Sequence, residues 1–282
     1  MSSRRIVSGA LFLVALSVVQ FAGCQKSAGA EVAMNKEGTA EKGFIHPSWA
    51  LTMDELTALT AALPKEIAEK VSSDPVTFLS LLREVLAEPA DLFIMADKHH
   101  ELKEDYEPDD LVNLEAEGVA VARNGLLLRK EAAEALSNMS AAAKASGIDL
   151  VVGSAYRSFA YQKIVYSRNV KELGQESADR ESARPGTSQH QLGTAVDFSP
   201  ISDDFADTKA AIWLQKNAYL YGFSLSYPEG YESLTGYRWE PWHYRYIGKA
   251  GASLVNSFFD GIQHYFIEFL QTNGDTLRTK VQ

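Results

Sequence analysis

The stretch SQHQLGTAVD, at residues 188–197, holds an imidazole and a carboxylate on or beside a predicted strand. Residues 194–198 form a short, mostly apolar run, and such a run favours a buried β-strand. Asp197 lies within that strand, and His190 lies just ahead of it. Both side chains are common metal ligands, so this stretch points to a metal site built on a small sheet.

A second polar segment, EPWH at residues 240–243, has its geometry set by Pro241. Proline disfavours helix at the residue before it and cannot occupy a helix interior, so this is not the helical two-histidine motif of zincins. We expect Glu240 to lie in a turn and His243 to open a strand over residues 243–247. Such a bend places a carboxylate beside a metal site without making it a ligand.

Together the two segments supply the ligands of a catalytic zinc site. Such a site uses three protein ligands of the histidine and carboxylate type and keeps one position open for water. His190, Asp197 and His243 have that number and kind, and we expect one zinc ion per chain. Taken singly, each histidine is more often a hydrogen-bonded structural residue and the aspartate a solvated strand end. The prediction therefore rests on their combination.

The same segments resemble the zinc D,D-carboxypeptidase family that includes the VanY-type enzymes, whose signatures are S-x-H-x-x-G-x-A-x-D and E-x-W-H. Every fixed position of the two signatures is present: Ser188, His190, Gly193, Ala195, Asp197, Glu240, Trp242 and His243. The YRS segment at 156–158 matches the family's arginine segment, and residues 106–114 resemble its leading strand and loop. The resemblance covers about residues 106–248.

The resemblance implies a role for each matched residue. It makes the histidine–aspartate–histidine set the zinc ligands and Glu240 the general base. It makes Arg157 the clamp on the substrate or transition state, with a structural ion pair as the alternative. Ser188, Tyr156 and Gln162 are expected substrate contacts, and hydrogen bonding within the core or a loop is an equal alternative for these three.

The implied reaction is zinc-dependent hydrolysis of the C-terminal D-alanine of peptidoglycan stem peptides, which makes the chain a D,D-carboxypeptidase. Three alternatives stay open: an L,D-carboxypeptidase, an endopeptidase on the same polymer, and a non-hydrolytic zinc-containing binding domain of the hedgehog-like kind. The formal charge of −10, without clustered Lys and Arg, disfavours nucleic acid as a partner. A small peptide substrate is compatible with an acidic surface.

The expected fold is α+β, with a small, mainly antiparallel sheet flanked by helices, of the hedgehog or D,D-peptidase type. We divide it into an N-terminal helical extension at 46–105 and a zinc peptidase domain at 106–282. Local patterns predict helices at 131–146, 159–173, 208–221 and 253–270, and strands at 148–152, 194–198 and 243–247.

The sequence of the N-terminal extension contains two signals for the start of a helix. Thr52 and Glu55 form a T-x-x-E capping box ahead of an apolar-periodic run. Asp74 followed by Pro75 is a second start signal, because proline fits the first position of a helix. We expect two or three helices here, packed on the C-terminal body or standing beside it.

The first 24 residues predict export. Two arginines precede a nearly apolar run at 6–19, and small residues then lead to Cys24, the only cysteine. This resembles a bacterial lipobox, with Phe21 where leucine is usual; ordinary signal cleavage nearby is the alternative. Residues 25–45 read as a flexible tether. We therefore expect a protein lipid-anchored through Cys24 to the periplasmic or extracellular face of a bacterial membrane.

Overall fold

The computed structural model describes residues 43–282. The predicted signal segment, Cys24 and the predicted tether up to residue 42 lie outside the described residues. The helices are α1 (Met53–Thr60), α2 (Lys65–Ser73), α3 (Pro75–Ala87), α4 (Lys130–Ala145), α5 (Phe159–Leu173), α6 (Gln175–Glu181), α7 (Lys209–Asn217), α8 (Glu232–Thr235), α9 (Lys249–Phe258) and α10 (Gln263–Lys280). The strands are β1 (Leu111–Asn113), β2 (Leu127–Arg129), β3 (Val152–Ser154), β4 (Ala195–Phe198), β5 (Phe223–Leu225) and β6 (His243–Tyr246).

The N-terminal helices begin at the caps that the sequence predicts. The side chain of Thr52 accepts a hydrogen bond from the backbone of Glu55, and the side chain of Glu55 accepts one from the backbone of Thr52. Asp74 caps α3 by accepting from the Thr77 amide, with Pro75 at the first helical position. Both predicted starts are confirmed. The caps satisfy amides that have no partner inside a helix.

These helices pack on the C-terminal helices through one hydrophobic core. Phe78 on α3 contacts Phe258 on α9 and Phe269 on α10, at ring-centroid distances of 5.3 and 6.0 Å. Trp49 is fully buried and donates its indole N–H to the carbonyl of Leu79. Of the two arrangements left open by the sequence, the described residues adopt the packed one; the proposed boundary at residue 105 stays a prediction. Among residues 43–282, no helix has both the length and the apolar character that a membrane crossing requires.

The central sheet has the strand order β3-β4-β6-β5, and every neighbouring pair is antiparallel. β1 and β2 form a separate antiparallel hairpin. In the register of the central sheet, Asp197 on β4 lies opposite Ser154 on β3 and opposite His243 on β6. The α+β class with a small antiparallel sheet is confirmed. Its register brings one row of polar side chains across three strands.

Three predicted elements differ clearly from the structure. The strand predicted at 148–152 begins only at Val152. The amide of Ile148 still donates to the Ala143 carbonyl, so this residue belongs to the turn that follows α4. The helix predicted at 253–270 was wrong: α9 and α10 are separate helices. Asp260 and Gly261 both have positive φ (55° and 76°) and turn the chain between them. The predicted helix at 208–221 is α7 followed by a 3₁₀ turn at 218–221.

Candidate active site

Three buried side chains converge where β4 and β6 meet a 3₁₀ turn at residues 189–192. His190 Nε2 lies 3.1 Å from Asp197 Oδ2, and His243 Nδ1 lies 2.9 Å from Asp197 Oδ1. One ligand atom from each residue falls within 4.8 Å of the other two. Gly193 ends the turn with φ of 68°, a conformation that glycine adopts without strain. The sequence-predicted ligands are thus brought together.

In each imidazole, one ring nitrogen is hydrogen-bonded to an oxygen of the protein and the other is left facing Asp197, where it can bind a metal ion. His190 Nδ1 lies 2.7 Å from the carbonyl of Ala155, so it carries the proton and leaves the Nε2 lone pair facing Asp197. His243 Nε2 lies 3.1 Å from Gln189 Oε1 and donates to it, leaving the Nδ1 lone pair facing Asp197. Metal-ligating histidines are usually oriented in this way by a bond from the second ring nitrogen.

The charge states of the cluster also suit a cation. Burial, followed by the charge of Arg157, lowers the pKa of His190 to about 4, so its ring is neutral at neutral pH. Burial raises the pKa of Asp197, but the charge and hydrogen bonds of His190 and His243 outweigh burial and hold this pKa well below its ordinary value. Neutral imidazole and ionised carboxylate are the forms that bind metal. The donor set therefore fits zinc.

Glu240 lies in the turn that Pro241 favours, as predicted. The amide of His243 donates to the Glu240 carbonyl, and the amide of Glu240 donates to the Tyr227 carbonyl. Glu240 Oε2 lies 3.7 Å from His243 Nδ1. Burial, and then the charge of Asp197, raises the pKa of Glu240 well above its ordinary value. The carboxylate therefore lies beside the ligand cluster and has an elevated proton affinity.

Arg157 reaches the same cluster and is held on two sides. Its Nη1 donates to Ser154 Oγ at 3.0 Å and lies 3.7 Å from Asp197 Oδ2. Its Nε donates to Gln162 Oε1 at 2.9 Å, while the amide of Gln162 donates to the Ala183 carbonyl at 2.7 Å. Gln162 is fully buried, and its two hydrogen bonds fix the orientation of the Arg157 guanidinium.

A cavity of about 320 Å³ opens over the cluster. Ser188 lines this cavity, whereas Tyr156 and Gln162 are not among its lining residues. The Tyr156 hydroxyl is buried with no hydrogen-bond partner among the described residues. Of the three expected substrate contacts, the structure brings only Ser188 to the cavity wall.

Several lining residues were missed by the sequence analysis. Tyr227 packs its ring on His243 at a centroid distance of 4.8 Å, and Gln189 positions the same imidazole. Gln189 stands between two signature residues, so the motif itself offered a signal for it. Arg123 and Arg168 also line the cavity, and no motif marks either of them.

Comparison with known proteins places this site in a defined family. Residues 125–249 match the family model described as VanY: D-alanyl-D-alanine carboxypeptidase. The chain is similar to the Bacillus subtilis protein YodJ, with 36% identity over 190 residues, covering 65% of this chain and 70% of that protein. The range of the family match includes both signature segments.

Two solved structures resemble the fold. One is the LdcB LD-carboxypeptidase, with a TM-score of 0.57 and 36% identity, covering 62% of this chain and 84% of that one. The other is a vancomycin-resistance D,D-pentapeptidase, VanY, in complex with Zn(II). It has a TM-score of 0.53 and 28% identity, covering 64% of this chain and 99% of that one.

Proposed function

This chain belongs to the VanY D-alanyl-D-alanine carboxypeptidase family, and on that premise we propose that it releases the C-terminal D-alanine of peptidoglycan stem peptides. It is a metallo-carboxypeptidase of that family. The proposal is carried by the buried His190–Asp197–His243 cluster, with Glu240 beside it, at the floor of one cavity. One zinc ion held by the three ligands is part of the proposal, supported by the Zn(II) complex of the VanY relative.

When bound, zinc supplies a Lewis acid that acidifies water and polarises a carbonyl. Glu240 takes a proton from the attacking water and passes it to the leaving amine. Its raised pKa makes the carboxylate a stronger base than an exposed glutamate, and general base catalysis typically contributes about 10²–10⁴-fold. An intact base facing the cavity disfavours the alternative of a non-hydrolytic binding domain.

Arg157 stabilises the negative charge that develops on the scissile carbonyl oxygen. Ser154 and Gln162 fix its guanidinium before substrate arrives, so little reorganisation accompanies the reaction. The loss of one such preorganised donor typically costs about 2.7–4 kcal/mol of transition-state stabilisation. Ser188, on the cavity wall, is the remaining proposed substrate contact.

The bond cleaved distinguishes two candidate activities. The family description and the VanY structure support a D,D-carboxypeptidase, which is our first proposal. The higher identity to LdcB, 36% against 28%, favours an L,D-carboxypeptidase as the second. Incubation with a pentapeptide ending in D-Ala-D-Ala and a tetrapeptide ending in a single D-Ala, followed by mass analysis, separates them. If neither peptide loses an alanine, both candidate activities are contradicted.

A further inference from the structure

The cavity extends beyond the metal cluster to a wall formed by α5 and the loop between β1 and β2. Tyr161, Val165 and Arg168 all line this wall, and their spacing of four and three residues puts them on one face of α5. Arg123 joins them from the loop. This wall presents two arginines that the proposed hydrolytic machinery does not use.

Backbone pairing holds Arg123 at this position. Val121 forms a parallel bridge with Val152, and the amide of Ala122 donates to the Val152 carbonyl at 2.8 Å. The loop is thereby joined to the start of β3, the strand that carries Ser154 under the cavity. Arg123 Nη1 donates to the Tyr161 hydroxyl at 3.4 Å, which links the loop to α5.

Neither arginine has an acidic partner within residues 43–282 at a distance of 4.0 Å or less, although both are exposed. Three other arginines outside the cluster behave differently: Arg180, Arg184 and Arg238 each contact a carboxylate at 2.6–3.0 Å. The chain carries a formal charge of −10, so acidic partners are abundant. The one acidic residue lining the cavity outside the metal cluster and Glu240 is Glu181.

The pKa of Tyr161 responds to the charge of both arginines. The hydrogen bond from Arg123, and then the charges of Arg123, Arg168 and Arg157, lower the pKa of Tyr161 despite some opposing burial. A lowered tyrosine pKa means that a negative charge is stabilised at the hydroxyl position. The same field stabilises any other anion brought to this wall.

We propose that Arg123 and Arg168 form a carboxylate subsite for the substrate peptide, on the α5 wall of the cavity. The inference rests on the proposed function, because a peptide substrate offers carboxylates as its anionic groups. Two carboxylates qualify: the free C-terminus and a side-chain carboxylate of an earlier residue. Arginine suits either one, since its planar donors match a carboxylate in geometry.

The test compares the unmodified chain with Arg123→Gln, Arg168→Gln and the double variant. Arg83→Gln is the matched control, because Arg83 is exposed, contacts only Ser48 and lies outside the cavity. The substrate is a synthetic pentapeptide that ends in D-Ala-D-Ala and carries one side-chain carboxylate. It is made also as its side-chain amide and as its C-terminal amide. We expect the double variant to raise KM about ten-fold for the free peptide, with kcat nearly unchanged.

Binding of the same three peptides to zinc-loaded Glu240→Ala, with and without the arginine changes, gives a readout that needs no hydrolysis. The amide whose binding no longer depends on the arginines identifies the carboxylate that they contact. Equal losses for all three peptides, or no loss for any, overturn the subsite. If the unmodified chain cleaves nothing while the binding differences persist, the proposed reaction fails and the subsite stands.

Discussion

At the scale of single residues, hydrogen-bond partners and burial orient the two histidines proposed as metal ligands. His190 is buried, bonded through Nδ1 to a fixed carbonyl, and neutral because its pKa lies at about 4. We expect His190→Ala to lose nearly all bound zinc, measured by metal analysis of the purified protein. His99→Ala is the control, since His99 is exposed and outside the cluster. Full zinc occupancy in His190→Ala removes this residue from the ligand set.

Replacing Glu240 is a separate test. Loss of a general base should lower the rate of hydrolysis without loss of zinc, whereas loss of a ligand should lower zinc binding. We expect Glu240→Ala to retain zinc and fold while hydrolysis falls by about 10²–10⁴-fold. Glu181→Ala removes an exposed carboxylate on the cavity wall and serves as the control for a change of charge alone. Turnover close to that of the unmodified chain in a zinc-loaded Glu240→Ala protein contradicts the role of base.

At the scale of elements, the capping box of α1 also joins the two ends of the described chain. Glu55 accepts from the Lys280 ammonium, and this bond, followed by those from Thr52, lowers the pKa of Glu55 from 4.5 to about 2. A carboxyl whose pKa is lower in the folded state than in the unfolded state stabilises the fold at every pH above its unfolded-state pKa. This stabilisation disappears as the pH falls through the folded-state pKa.

The expected outcome follows from that sign. Glu55→Gln is less stable to denaturant than the unmodified chain at pH 7, and the difference shrinks from about pH 4.5 downwards until it vanishes near pH 2. Glu66→Gln, an exposed glutamate in the first turn of α2, is the control. A difference for Glu55→Gln that stays constant over this range refutes the coupling.

At the scale of the whole molecule, the export signal predicted for residues 1–24 bears on where the enzyme works. We propose that Cys24 is lipidated, which suits a family that acts on cell-wall peptides. A single acyl chain binds membranes only marginally, so stable anchoring requires more than one. The native protein is expected to show added lipid mass on an N-terminal Cys24 by intact mass spectrometry, and Cys24→Ala to lose it. A mature N-terminus downstream of Cys24, without lipid, contradicts the anchor.

Substrate choice is also a property of the whole cavity. We expect cleavage to require a free C-terminus, so the free pentapeptide is hydrolysed far faster than its C-terminal amide. Ser188, beside the metal turn, is the proposed donor to that terminus, and the arginines proposed as a carboxylate subsite line the same cavity. Similar rates for acid and amide point instead to an endopeptidase.

The sequence by itself determined the features that depend on neighbours along the chain. The bounds of α5, the caps of α1 and α3, and the turn at Glu240 follow from local propensity and capping, which act over a few residues. The ligand triad was predicted because its residue types and spacings match a known pattern, and the antiparallel register then set Asp197 opposite His243.

Only the tertiary structure decided which side chains face the cavity. Tyr156 and Gln162 lie within six residues of Arg157 in sequence, yet neither lines the cavity. Arg123 and Arg168 are distant from the signatures, and they reach the cavity because the β1–β2 loop pairs with β3 and α5 packs alongside. Side-chain direction depends on packing between segments far apart in the chain, and single-sequence patterns do not carry that information.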